Sequence, residues 1–66
     1  MRKVEIPIWE KINLTVEEAS AYSNIGRDKI YDLTSEPNCK FLLKNGRVTL
    51  IKRKAFEEFL SQKSVI

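Results

Sequence analysis

The chain has 66 residues, 42% of them apolar and 32% charged, with twelve Lys and Arg set against nine Asp and Glu. So short a chain buries only about 60% of the surface it exposes when unfolded, which allows one domain, residues 1–66, with a small and simple core. It holds no histidine and a single cysteine, Cys39, which excludes an internal disulfide, a Cys/His zinc site and any histidine acid, base or triad within one chain.

The acidic residues are scattered and no Gly-rich loop accompanies them, so neither catalysis nor a cofactor is expected. No apolar run is long enough to cross a bilayer and MRKVEIPIWE lacks the continuous hydrophobic segment of a signal peptide, so no membrane association is expected and the expected compartment is cytoplasmic. A formal net charge of +3 and a pI near 9.2 point toward an anionic partner. The distribution is more informative than the total. Between Pro37 and Phe56 there is no carboxylate, whereas Lys40, Lys44, Arg47, Lys52, Arg53 and Lys54, half of the twelve cations, all lie there. A solvated surface is the plain reading of such a block, and the surrounding elements decide whether it is more.

In VEIPIWEKI, apolar Val4, Ile6 and Ile8 alternate with Glu5, Pro7 and Trp9, the period of an extended strand. Pro7 has no N–H for a ladder, so an edge strand or extended arm is expected, with Trp9 packed onto the domain. The following LTVEEASAYSN has a marked helix start, the capping box Thr15-x-x-Glu18. Leu14 and Ala19 hold the places of a hydrophobic staple, and Val16, Ala19 and Tyr22 share a helical face. Asn24 suits the left-handed conformation that ends a helix.

A second helix is expected from Arg27, with Gly26 at its N-cap. Spacing at 100° per residue turns Ile30 and Leu33 toward the core and Arg27, Asp28, Tyr31 and Asp32 away from it. Two short helices separated by three residues have helix-turn-helix spacing, in which the second helix commonly enters a DNA major groove. Beyond Pro37, Asn45-Gly46 predicts a type I′ hairpin turn. Centred there, the turn sets Lys44 opposite Arg47, Leu43 opposite Val48 and Phe41 opposite Leu50, with Phe41, Leu43, Val48 and Leu50 on one buried face. Two opposed cations at the tip repel, which suggests an anion beside them. The last segment carries Phe56, Phe59 and Leu60 at i, i+3, i+4, the stripe of a packed helix. Its start holds Lys52, Arg53 and Lys54 where the helix dipole disfavours cations, and no side chain offers a cap. Ser64-Val65-Ile66 is expected to fray.

Helix, tight turn, helix, basic hairpin and helix is the order of an α+β winged helix-turn-helix domain with a basic β-hairpin wing and a C-terminal helix. With IPIWEKINLTVEEAS at one end and NGRVTLIKRKAFEEFL at the other, the chain resembles, over nearly its whole length, the winged-helix excisionases of conjugative transposons, recombination directionality factors that work beside tyrosine integrases. The resemblance implies a recognition helix from Arg27 with Arg27, Asp28, Lys29, Tyr31 and Asp32 facing DNA, a wing of Lys44, Asn45, Gly46 and Arg47, and a basic run of Lys52, Arg53 and Lys54 behind it. It departs at Asp32, where relatives often carry a cation, and at Lys54-Ala55, where many have a Ser-Asp-like helix start.

The implied function is that of a non-enzymatic factor that binds and bends double-stranded DNA at mobile-element ends to promote excision by a tyrosine integrase, with further copies of itself possible on the DNA. The alternatives are a small winged-helix transcriptional regulator and a basic protein-interaction module.

Overall fold

A computed structural model describes residues 5–66. Helices α1 (Val16–Ser23), α2 (Arg27–Thr34) and α3 (Arg53–Ser61) pack with strands β1 (Asn13–Thr15), β2 (Leu42–Asn45) and β3 (Val48–Lys52). The strands form one antiparallel sheet in the order β1-β3-β2. This is the α+β arrangement of a winged helix, with β2 and β3 as the wing.

The expected start of α1 holds in full. The Glu18 amide donates to Thr15 Oγ1 at 3.1 Å and the Thr15 amide donates to Glu18 Oε1 at 3.0 Å, a capping box that satisfies two backbone donors reciprocally. The staple residues Leu14 and Ala19 are both fully buried. Asn24 closes the helix in the left-handed region, φ 63°. The Ser20 hydroxyl then donates to the Ile25 carbonyl at 2.6 Å, pinning the turn that sets the direction of α2.

The first segment differs from the expected strand. Residues Ile8–Glu10 form a 3-10 turn, with the Glu10 amide bonded to the Pro7 carbonyl and the Lys11 amide to that of Ile8. Only Ile8 is drawn against the core, while Trp9 is 62% exposed rather than packed on the domain. Val4 lies outside the described residues. An edge strand is present, but it is β1, beginning at Asn13 and paired with β3 alone. The turn prevails because one apolar side chain, Ile8, finds room in the small core, and an alternating strand would have to bury several.

The hairpin register also differs. Asn45 faces Val48, Lys44 faces Thr49, Leu43 faces Leu50 and Leu42 faces Ile51, so the central residues are Gly46 and Arg47. Gly46 has φ 64°, and among the described residues Asn24 is the one non-glycine with positive φ. Glycine first with an ordinary second residue is the pattern of a type II′ turn, whereas type I′ needs positive φ at both positions. Burial explains the choice of face. Fully buried Ile51 stands between Leu14 of β1 and Leu42 of β2, which makes that row the inner one. Leu43 and Leu50 are thereby a half-buried pair on the outer face, and Val48 is 51% exposed. Phe41, just before β2, is buried, with its ring 5.0 Å from Phe56 and 5.2 Å from Phe59. With Leu14, Val16, Ala19, Ile30 and Ile51, Phe41 and Phe56 make the core, and half-buried Phe59 packs against it.

Candidate nucleic-acid interface

Helix α2 presents Arg27, Asp28, Lys29, Tyr31 and Asp32 to solvent, because Ile30 is fully buried and Leu33 packs beside it. The buried Thr34 hydroxyl donates back to the Tyr31 carbonyl at 2.9 Å, so Thr34 itself needs no outside partner. Arg27 Nη1 lies 3.5 Å from Glu17 Oε2 across the turn, with both side chains mostly exposed. Such a pair contributes little and leaves Arg27 available to a stronger anion. Asp28 sits in the first turn, where the positive end of the helix dipole favours a carboxylate.

The wing tip carries exposed Lys44, Asn45, Gly46 and Arg47. Lys44 and Arg47 are not opposed: Lys44 Nζ donates to Thr49 Oγ1 at 3.1 Å, and Arg47 occupies the turn. The repulsion expected at the tip therefore does not arise, and an anion between the two cations is not needed to explain them. Both are nonetheless without a carboxylate partner among the described residues.

The run Lys52, Arg53, Lys54 is divided. Lys52 is the N-cap of α3 and provides no side-chain bond. Five steps of about 3.3 Å along the strand separate it from Arg47, so the two basic groups lie at opposite ends of β3, roughly 16 Å apart. Arg53 is turned inward. Its backbone amide donates to the Ile12 carbonyl at 3.0 Å, its Nε to the Lys11 carbonyl at 2.6 Å and its Nη1 to Glu57 Oε2 at 3.2 Å. The chain before β1 thus supplies the cap that no side chain provides, and Arg53 clamps that chain to the helix. Lys52 and Lys54 stay exposed.

This clamp was missed in the sequence. Arg53 and Glu57 at i, i+4 are a readable helical pair, but the Lys11 carbonyl is 42 positions away. On one side of the clamp the Tyr22 hydroxyl donates to Glu57. This bond first, then Arg53, lowers the Glu57 pKa, and the same bond raises that of Tyr22. On the other side Lys11 Nζ meets Glu18 Oε2 at 2.5 Å. That hydrogen bond, followed by the Thr15 amide, holds Glu18 below the ordinary value of 4.5.

No group of three or more candidate metal ligands occurs among the described residues, and no helix among them is long and apolar enough to cross a membrane. Across residues 1–66 the chain matches the family described as "Excisionase from transposon Tn916". A similar curated protein, the excisionase from transposon Tn916 of Streptococcus agalactiae serotype V, is 46% identical over 61 residues, which is 91% of each chain. No solved structure matches.

Proposed function

This chain belongs to the Tn916 excisionase family, and from that premise we propose that it binds double-stranded DNA near the ends of a mobile element and bends it, so that a tyrosine integrase engages separated sites at once. Its part in excision is that of an accessory recombination factor. The need is geometric: bending a site of 20–30 base pairs costs of order 1–6 kcal/mol, which bound protein supplies through contacts that the bend permits.

The observation that carries this reading is the exposed polar face of α2 together with a wing whose tip has two cations without carboxylate partners among the described residues. In the proposed complex α2 lies in the major groove, with Arg27 and Lys29 on phosphates and Tyr31 and Asp32 toward base edges. Asp32 repels phosphate but accepts a hydrogen bond from a cytosine amino group. Lys44 and Arg47 reach the adjacent backbone or minor groove. Four neutralised phosphates give a slope of log affinity against log salt of roughly −3 to −4.

The test is the gel mobility of duplexes from the element's ends, with the site placed centrally or terminally and a scrambled duplex alongside. Sequence-selective binding with position-dependent mobility is expected. Binding without that dependence removes bending from the proposal, and no binding at physiological salt removes the DNA interface.

A further inference from the structure

Lys52 and Lys54 lie at the far end of β3 from the wing tip, beside the exposed Ile12. Between the start of β1 and the first turn of α3 lies an open groove of about 460 Å³, lined by Ile12, Asn13, Lys52, Arg53, Lys54 and Ala55. None of these is acidic. Ile12 is 82% exposed, and its backbone is fixed there because its carbonyl accepts the Arg53 amide. Arg53 is committed to Lys11 and Glu57, so it serves as a wall. Lys52 and Lys54 have no ion pair among the described residues. The groove therefore suits a segment with a large apolar side chain flanked by carboxylates.

The same chain presents such a segment a few residues upstream. In EIPIWE, Glu5, Ile6, Trp9 and Glu10 are all exposed, and neither Glu5 nor Glu10 has an ion pair among the described residues. Ile8, packed on the core, and the 3-10 turn hold Trp9 outward, so it does not cover its own groove. We propose that Glu5–Glu10 of one copy docks in the groove of a second copy, Trp9 against Ile12 and Ala55, with Glu5 and Glu10 facing Lys52 and Lys54.

Trp9 and Ile12 are three residues apart, at most about 11 Å along the chain. Donor segment and acceptor groove are thus neighbours on one surface, and the contact is made in both directions at once. A reciprocal contact closes a two-fold pair, whereas a one-way contact continues into a filament. The interface uses no residue of α2 or of the wing tip, so a pair would display two DNA-binding faces. It does not rest on the DNA reading and is tested without DNA.

The experiment is sedimentation equilibrium of the full chain over a concentration series reaching the millimolar range, with Trp9 emission recorded in parallel. Trp9 is the sole tryptophan, so its signal is unambiguous. The expected mass rises from 7.7 kDa toward twice that value, with a blue shift of emission as Trp9 leaves water. Two charge-reversed variants, Glu5→Lys/Glu10→Lys and Lys52→Glu/Lys54→Glu, should each remain monomeric alone and associate when mixed, because each then offers what the other lacks. A monomeric wild type overturns the proposal and leaves the groove to an acidic segment of another protein. Undiminished association of either variant alone, or failure of the mixture to associate, also overturns it.

Discussion

Arg53 shows how one side chain takes a role that its neighbours do not share. Lys52 and Lys54 on either side are solvated, while Arg53 makes two side-chain bonds to groups on different elements. Arg53→Ala should destabilise the fold by about 1–3 kcal/mol in urea denaturation, the cost of leaving the partly buried Lys11 carbonyl without its side-chain donor and Glu57 with Tyr22 alone. Arg53→Lys should recover little, because an ammonium lacks the planar fork that serves both acceptors. Full recovery would reduce the residue to a charge. Glu18 allows a test by pH. Its folded-state pKa is lowered, so its stabilising contribution is complete above the unfolded value and is lost as pH falls through the folded one. Glu18→Gln keeps the reach to the Thr15 amide but removes the charge facing Lys11. It should cost about 0.5–1 kcal/mol at neutral pH, and the gap from wild type should close in acid. A gap unchanged in acid would show that shape, not charge, is what Glu18 supplies.

Among the elements, the hairpin separates local preference from packing. Asn45-Gly46 is a strong type I′ signal, yet the chain turns at Gly46-Arg47 and keeps Asn45 in β2. Gly46→Ala should cost about 1 kcal/mol through its positive φ, with no steric contribution, since nothing lies within 4 Å of the added Cβ. Asn45→Ala should be nearly neutral, while Asn24→Ala, at a position with φ 63°, should cost about 1 kcal/mol. Equal costs at the two asparagines, read from thermal denaturation, would return the turn to the type I′ register. In α1 and α2, by contrast, local signals and structure agree. The capping box, the left-handed Asn24 and the Gly26 N-cap depend on residues within four positions of one another, so no distant contact competes with them.

For the molecule as a whole, the sheet divides the basic block that looks continuous in sequence. Lys44 and Arg47 are at one end of β3 and Lys52 and Lys54 at the other. The two groups should therefore respond separately. On specific DNA, Lys44→Ala/Arg47→Ala should flatten the salt slope by about 1.8, at roughly 0.9 per phosphate contact, while Lys52→Ala/Lys54→Ala should leave it nearly unchanged. An equal loss in both variants would reunite the block as one DNA surface. The two helix faces, the wing and the exposure of every residue on α2 expected to face DNA were legible in sequence, because each follows from a short period or a cap. The hairpin face, the outward Trp9, the inward Arg53 and the groove beside Ile12 were not, since each depends on which of several apolar side chains the core accepts.

The sequence by itself determined the order of α1, α2, the hairpin and α3, the caps of α1, the N-cap of α2, the aromatic stripe of α3 and the family, because these are written in contacts between near neighbours or in the identity of successive residues. Only the tertiary structure decided the register of the wing and the separation of its cations from those of α3. The reason is competition for a small interior: once Leu14, Ile51, Phe41 and Phe56 fill it, Trp9 and Val48 remain outside, and the backbone at Lys11 and Ile12 is left to cap a helix 41 residues further along.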